Sequence, residues 1–276
     1  MKKSIKNLKK YFSALISASM FIAFQNNYIT VSKYEIFSRK IPKHFDGMKI
    51  LQISDLQRAS FGKENIKLLK KTALQKPDII VITGDLVDCR KTDFKSAIAF
   101  AERLTHICQV YFVCGNHDWK TGEYAYLRRE LLNLGIHVLD DKSVYIDREK
   151  KLSFTGVMDI EATTRKHAEK FVIKEIQNRK DSFNIVLSHR PELFDAYVES
   201  GADLVLSGHA HGGQIRLPFL GGLFAPNQGF FPKYTNGMYK SAKTCMIVSR
   251  GLGNSRFPVR IFNFPEITVT TLKNKE

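Results

Sequence analysis

The sequence lacks the cysteine spacing that indicates a zinc ribbon or a disulfide scaffold. Its four cysteines, at positions 89, 108, 114 and 245, form no C-x-x-C pair. Cys114 lies in an apolar, strand-like segment, where a cysteine behaves as a small core residue. The cysteines therefore exclude thiolate-based folds and leave the redox compartment open.

Acidic residues are also scarce, with 27 Asp and Glu against 43 Lys and Arg, which gives a net charge of +16. The excess is uneven, because residues 1–43 hold nine basic residues and a single acid, Glu35, and so carry half of it. A nucleic-acid-binding protein clusters its positive charge on a folded face. The mildly basic remainder is a poor match to that pattern, and no specific nucleic-acid partner is expected.

No long hydrophobic run is present, and the apolar run near the N-terminus has only 14 residues. Residues 11–24 carry no charge and follow five lysines. A helix of this length covers ~21 Å, against a hydrocarbon core of ~30 Å. We find neither a small-x-small cleavage site after it nor a twin arginine before it.

The sequence therefore predicts two parts, a signal or membrane-anchor segment over residues 1–33 and one domain over residues 34–276. A buried or interfacial N-terminal helix is the alternative. The lysines that precede the apolar run would keep the N-terminus cytoplasmic and place the domain outside the cytoplasm. Lys33, Arg39, Lys40 and Lys43 lie beyond the run and favour the cytoplasmic face instead.

The domain alternates β-rich apolar runs with helix-like segments. Strands are predicted at residues 50–54, 78–83 and 110–114, with helices at 63–76, 93–105 and 123–134. This βαβαβ order indicates a largely parallel sheet with crossover helices. Further strands are predicted at residues 138–157, 184–188, 203–207, 244–249 and 267–272, with a helix at 163–178.

Polar residues follow five of these strands at the point where each ends. The exits read Ser-Asp-Leu-Gln (54–57), Gly-Asp-Leu-Val-Asp (84–88), Gly-Asn-His-Asp (115–118), Ser-His (188–189) and Gly-His-Ala-His (208–211). Sites in open α/β sheets lie beyond the carboxyl ends of the strands. Carboxylates and imidazoles that converge in a protein interior need a cation, and this mixture of ligands suits Mn²⁺, Fe or Zn²⁺.

This ordered series resembles the motifs of the calcineurin-like metallophosphoesterases, and the segments 208–218, 225–239 and 248–265 are similar to their membrane-associated bacterial branch, the YkuE/YaeI-like phosphodiesterases. The resemblance covers residues 34–272. It implies an α/β fold, a four-layer α/β/β/α sandwich of two mixed sheets with two divalent metal ions at the strand ends.

The resemblance also implies a role for each motif residue. Asp85 would bridge two ions, Asp55, Gln57 and His211 would bind the first, and Asn116, His189 and His209 would bind the second. His117 would lie near the leaving group, and Asp88 would orient its ring. We further expect Arg58, Arg190, Arg250 and Asn254 as candidate contacts for a phosphoester substrate, although a structural role is as consistent with each.

Gln57 departs from the family pattern, which has histidine two residues after the first aspartate. A glutamine amide oxygen binds a hard cation, but as a neutral and weaker ligand than imidazole. The first ion would then be Mn²⁺ or Mg²⁺, bound directly or through a water, or it would be lost.

The sequence therefore predicts a metal-dependent hydrolase of phosphodiester or pyrophosphate bonds that uses a bridging hydroxide at a membrane surface. Its substrate would be a phosphoester or pyrophosphate, in one version lipid-linked, with residues 219–231 as a lid or an apolar ledge. The alternatives are a catalytically impaired phosphoester-binding protein and a nucleotide or nucleic-acid phosphodiesterase.

Overall fold

The computed structural model describes residues 2–255 and 257–275, and the side chains of residues 2–6, 8 and 9 lie outside the described part, as does Met1. Most of the lysine side chains at the start of the expected leader therefore lie outside it too. The helices of the described chain are α1 Lys2–Asn27, α2 Ile66–Ala73, α3 Phe94–Thr105, α4 Asn116–Lys120, α5 Tyr124–Asn133, α6 Arg165–Gln177 and α7 Phe194–Ser200.

The strands fall into two six-stranded mixed sheets and two short hairpins. Their bounds are β1 Thr30–Ser38, β2 Lys49–Ile53, β3 Ile79–Thr83, β4 Gln109–Val113, β5 His137–Val138, β6 Lys142–Tyr145, β7 Leu152–Val157, β8 Phe183–Ser188, β9 Leu204–Ser207, β10 Arg216–Leu217, β11 Gly221–Gly222, β12 Phe224–Ala225, β13 Gly229–Phe230, β14 Gly237–Ser241, β15 Thr244–Val248 and β16 Glu266–Asn274.

The first sheet has the order β1-β16-β2-β3-β4-β5, and only the β16–β2 pair is antiparallel. The second sheet has the order β14-β15-β9-β8-β7-β6, with antiparallel pairs at its two edges. The carboxyl ends of β2, β3 and β4 meet at one edge of the first sheet, and those of β8 and β9 meet at one edge of the second.

Three hydrophobic layers separate the sheets and helices, which confirms the four-layer α/β/β/α sandwich. Leu51 and Ile53 face the helical layer of α2, α3 and α5, whereas Ile50 faces the second sheet. The outer face of the second sheet packs on α6 and α7 through residues such as Val186 and Val172. The period-2 alternation of β2 thus covers both faces of a sheet that is buried on both sides.

One polar side chain crosses the layer between the sheets. Gln52 of β2 is fully buried, and its Nε2 donates to Thr83 Oγ1 at 2.8 Å and to the Ser207 carbonyl oxygen of the second sheet at 2.9 Å. Its Oε1 accepts from Thr268 Oγ1 at 2.9 Å. Gln52 therefore joins strands of both sheets, three residues before Asp55 at the end of β2.

The N-terminal helix α1 ends against the body and leaves most of its apolar side chains exposed. Phe24 contacts Phe264 with ring centroids 5.4 Å apart, whereas Phe12, Leu15 and Met20 are each about two-thirds exposed. None of the helices in the described residues is long and apolar enough to cross a membrane. The expected anchor stays a prediction.

Strand β1 was missed by the sequence reading. It pairs in parallel with β16 from Thr30 onward, so the predicted division between residues 33 and 34 falls inside a strand of the first sheet. Its polar, half-buried sequence lacks the apolar run by which the other strands were found. The predicted helix at 63–76 begins only at Ile66, because Glu64 and Asn65 adopt left-handed backbone.

We expect Gln52→Leu to lower the free energy of unfolding by about 1–3 kcal/mol, because buried polar groups of both sheets lose their partner. Urea titration followed by circular dichroism measures this change. The matched control is Gln177→Leu on the exposed end of α6, which should be close to neutral. Equal effects of the two substitutions would contradict a bridging role for Gln52.

Candidate metal centre

The side chains of the centre leave strand ends of both sheets on sharply turned backbone. Asp55, Gln57, Asp85, His209 and His211 all have positive φ, between 47° and 65°. A non-glycine residue in this region costs of order 1–3 kcal/mol and persists only where its surroundings hold it. The chain therefore bends at each strand exit so that successive side chains point into one space.

One group of ligands consists of Asp55, Asp85 and His211, all buried. His211 Nε2 lies 3.4 Å from Asp55 Oδ1, and its Nδ1 faces the Gly253 carbonyl oxygen at 3.2 Å. A carbonyl oxygen can only accept a hydrogen bond. The ring therefore carries its hydrogen on Nδ1 and presents Nε2 to the centre.

The second group consists of Asp85, His189 and His209, and it shares Asp85 with the first. His189 Nε2 lies 3.4 Å from Asp85 Oδ2 and 3.0 Å from His209 Nδ1. His189 Nδ1 faces the Thr83 carbonyl oxygen at 2.8 Å, which directs Nε2 inward in the same way. The two groups together offer places for two cations on either side of one carboxylate.

Two buried amide oxygens at the centre accept no hydrogen bond from the described residues, namely Gln57 Oε1 and Asn116 Oδ1. Gln57 Nε2 instead lies 3.1 Å from Asp85 Oδ2 and 3.4 Å from His211 Nε2. Rotation of this amide by half a turn would exchange the places of its oxygen and nitrogen. The oxygen would then face the first group of ligands.

The buried carboxylates and imidazoles of the centre shift one another's pKa values. Burial acts against ionisation of Asp85, but the His189 ring outweighs it and lowers the pKa of Asp85. Burial likewise acts to lower the pKa of His189, but the Asp85 carboxylate raises it to about 10. Burial, together with the Arg190 charge, lowers the pKa of His209 far below its usual value. A cation would replace the proton of His189.

Two glycines permit the close approach of these elements. Gly84 has φ +88°, and a Cβ there would lie 2.6 Å from His189 Nδ1. A Cβ on Gly208 would lie 1.9 Å from Ser54 Oγ. Any larger residue at either position would displace a strand exit, so both glycines shape the centre without touching a ligand's coordinating atom.

His117 lies beside the centre with Nδ1 3.2 Å from Asp88 Oδ1, as expected for an oriented ring. Asp88 also binds Arg90 through both carboxylate oxygens and lies 3.0 Å from Arg58 Nε. Cys89 Sγ is 3.3 Å from the same His117 nitrogen. Nδ1 is therefore the nitrogen of His117 that faces these groups.

The candidate substrate contacts differ in their surroundings. Arg58 has a half-exposed side chain at the mouth of the centre. Arg190 is fully buried against Asp159, with 2.6 Å between Nε and Oδ2, so its charge lies behind His209. Arg250 pairs with Glu266 at 3.1 Å, and Asn254 donates to Asn26 Oδ1 at 2.8 Å. Arg190 and Arg250 therefore hold the framework, whereas Asn254 also lines the groove described below.

Several residues around the centre were missed from the sequence. Asp118 accepts from the backbone amides of Asp85, Val87 and Gly115 and so joins two strand exits. Its position within Gly-Asn-His-Asp was the available signal. Asp159 follows the end of β7 by two residues, a sixth strand exit that was not counted. Buried Arg260 donates to the Gly253 carbonyl oxygen, which also faces His211, and burial lowers its pKa to about 10.

A groove of about 860 Å³ opens from the centre at Gln57 and Arg58. Its walls come from α1, the start of α3 and the loops around residues 56–65 and 252–258. The lining includes four basic residues, Arg58, Lys91, Lys95 and Arg103, and two acids, Glu64 and Asp93. Apolar side chains such as Leu56, Phe61 and Phe100 also line it.

The residues of the centre fit a pair of divalent cations. Carboxylates, imidazoles with their outer nitrogens bonded to carbonyl groups, and two unpartnered amide oxygens form a donor set of the kind that suits Mn²⁺, Fe or Zn²⁺. Gln57 Oε1 and Asn116 Oδ1 would otherwise be buried acceptors without a partner among the described residues.

Comparison with known proteins identifies the family of this chain. The family of calcineurin-like phosphoesterases matches residues 48–213. The Bacillus subtilis (strain 168) protein named uncharacterized metallophosphoesterase YkuE is 33% identical over 261 residues, which cover 89% of this chain and 86% of that protein. A Danio rerio protein named transmembrane protein with metallophosphoesterase domain is 28% identical over 87% of this chain and 56% of its own length.

Among solved structures, a dimetal phosphatase from Danio rerio shares the fold with a TM-score of 0.51 and 13% identity, over 75% of this chain and 88% of its own. The family match covers more than half of the described residues and ends at the last ligand loop. The chain therefore belongs to the calcineurin-like phosphoesterase family, and its centre is that of a metal-dependent phosphoesterase.

Proposed function

We propose that this protein hydrolyses phosphodiester or pyrophosphate bonds at a membrane surface. The observation that carries the proposal is the groove that opens from the centre at Gln57. A phosphomonoester has one substituent on phosphorus, whereas a diester or pyrophosphate has a second that needs room beside the reacting atom. The groove provides about 860 Å³ for it.

The lining of the groove fits an anionic substrate with apolar parts. Its four basic residues outnumber its two acids, and Leu56, Phe61 and Phe100 supply apolar surface close to the charged positions. Asn26 and Asn27, at the end of α1, form part of the same wall. A lipid-linked phosphoester or pyrophosphate combines both kinds of group.

The proposal gives a role to each residue of the centre. Two divalent cations, when bound, supply a water of lowered pKa and neutralise the phosphoryl oxygens of an in-line displacement. The ions would be held by five carboxylate and imidazole ligands and two amide ligands: Asp55, Asp85, His189, His209 and His211, with Asn116 and Gln57. His117 donates a proton from Nε2 to the departing oxygen, and Asp88 keeps Nδ1 turned away from it. Arg58 binds phosphate at the mouth.

Helix α1 supports action at a membrane surface. Tyr11, Phe12, Leu15 and Met20 are each between 66% and 70% exposed, and the sequence before them is rich in lysine. An apolar helix with a basic end binds anionic lipid surfaces without spanning the bilayer. Because α1 also lines the groove, a lipid-linked substrate would meet the centre directly from the surface.

The turnover of bis-p-nitrophenyl phosphate with Mn²⁺ tests the enzyme. We expect Asp85→Ala to lower it by ~10³-fold or more, since the carboxylate shared by both cations is lost. His117→Ala should lower kcat by ~10²–10⁴-fold and leave the metal content unchanged, because this ring transfers a proton and binds no ion.

The proposal that this protein is an enzyme would be wrong if wild type hydrolysed neither this substrate nor a panel of lipid-linked pyrophosphates faster than Asp85→Ala. A phosphoester-binding protein would then be the better interpretation. The panel includes p-nitrophenyl phosphate as the monoester control and a linear DNA. Preference for the monoester would contradict the role given to the groove, and preference for DNA would indicate a nucleic-acid phosphodiesterase.

Gln57→His tests whether this side chain reaches the first ion. Gln57 already lies within 3.4 Å of His211 Nε2, and imidazole binds transition metals more tightly than an amide oxygen does. The substitution should therefore tighten binding of one of the two ions and raise turnover. Metal titration by calorimetry measures this directly, and an unchanged affinity would show that Gln57 is not a ligand.

Co-sedimentation with vesicles tests the membrane surface. Replacing Phe12 and Leu15 by serine should weaken binding to phosphatidylglycerol-containing vesicles at least ~10-fold, because two apolar side chains no longer enter the lipid. Turnover of bis-p-nitrophenyl phosphate should not change. The control replaces Leu74 and Leu132, two exposed leucines of the α2 and α5 layer, by serine. Equal loss in both variants would contradict a role for α1.

A further inference from the structure

The two ring nitrogens of His209 face different partners. Nδ1 points into the centre, 3.0 Å from His189 Nε2, and belongs to the second ligand group. Nε2 points outward and meets two side chains, Arg190 Nη1 at 3.0 Å and Asn227 Oδ1 at 2.9 Å. His209 can bind an ion through Nδ1 only if its proton is on Nε2.

Arg190 by itself would favour the wrong tautomer. A guanidinium group only donates hydrogen bonds. Once His189 Nε2 has lost its proton, as it must to bind an ion, a neutral His209 ring that faced Arg190 alone would accept at Nε2. It would then carry its proton on Nδ1, where the proton would point at His189 and block the ion. Arg190 cannot turn away, because Asp159 holds its Nε at 2.6 Å and its Nη2 at 2.8 Å.

Asn227 supplies the acceptor that reverses this preference. Its Oδ1 lies 2.9 Å from His209 Nε2 and also 2.9 Å from Arg190 Nη1. Since Arg190 can only donate, it keeps the amide oxygen of Asn227, and not the nitrogen, turned toward the histidine. The oxygen then accepts from Nε2–H of His209 with its other lone pair.

We propose that Asn227 is a positioning residue that keeps the proton of His209 on Nε2 and thereby leaves Nδ1 free for a divalent cation. The inference depends on the metal centre alone and not on the bond that the enzyme cleaves. It also gives the 219–231 loop a defined task, since Asn227 is the point at which this loop reaches a ligand of the centre.

The local backbone is built to hold Asn227 in place. It lies in the turn between β12 and β13 with φ +60°, a conformation that asparagine tolerates better than most residues. The next residue, Gln228, clasps the backbone of Tyr234 with both amide atoms, at 2.8 and 2.9 Å. Ala225, on the preceding strand, is fully buried. The turn therefore cannot drift away from His209 without breaking these contacts.

The direct test compares Zn²⁺ affinity in Asn227→Gly and Asn227→Asp. Glycine removes the acceptor and suits the left-handed backbone, so we expect the affinity for one ion to fall ~10–100-fold, as for other partners of a ligand histidine. Aspartate keeps an oxygen at the same place and tolerates the same backbone, and it should bind Zn²⁺ at least as tightly as wild type. Asn236→Ala, in the same segment of chain, is the matched control.

The tautomer itself is measured by long-range ¹H–¹⁵N correlation spectra of the metal-free protein in a His189→Ala background, which removes the Nε2 proton of His189 that faces His209 Nδ1. The ring signals are assigned from a His209→Gln variant. Wild type and Asn227→Asp should show the proton of His209 on Nε2, and Asn227→Gly should show it on Nδ1. Unchanged affinity and an unchanged tautomer in Asn227→Gly would overturn the proposal. Equal weakening by glycine and aspartate would also overturn it, because loop geometry, and not the acceptor, would then be responsible.

Discussion

The structure depends on the burial of two carboxylates, Asp55 and Asp85, at the seam between two sheets. Both are fully withdrawn from water, and buried imidazoles lie within 4 Å of each. Isolated charges in such a place are strongly unfavourable, so they must be paired or must bind cations. The imidazoles of His189, His209 and His211 face these carboxylates, and together they form a donor set that fits cations.

Holding these groups together requires both sheets to end at the same level. Gln52 connects β2 to β9 through hydrogen bonds, and Asp118 connects the exits of β3 and β4 through three backbone amides. The left-handed residues at the exits carry local strain that these contacts offset. The positions of the ligands thus depend first on these framework contacts and only to a lesser degree on the loops.

The surroundings of the centre divide into two sides. On the Gln57 side lies the groove, whose wall continues into α1 and its exposed apolar face. On the His209 side, the hydrogen-bonded side chains of Asp159, Arg190 and Asn227 lead outward to a loop. This loop exposes Phe219, Phe230 and Phe231. The proposed routes for substrate entry and for control of the second ligand group therefore use different elements, and each element carries exposed apolar side chains.

Apolar alternation was enough to predict a largely parallel sheet with polar residues at its strand exits, because buried strands leave a strong local pattern, whereas the four-layer sandwich was implied by the family resemblance. Positions such as Asp85 and His211 could be identified in that way. Strand β1 could not, since its half-buried sequence has no such pattern, and its place beside β16 is decided by contacts more than 200 residues away. Arg190 was identified as a candidate contact for phosphate, but only the fold places it behind His209, because Asp159 and Asn227 come from distant loops.

The sequence by itself determined which chemical groups are present and in what order along the chain. Which nitrogen of each histidine faces inward, and what holds it there, was decided by tertiary structure, because hydrogen-bond partners are set by distance in space.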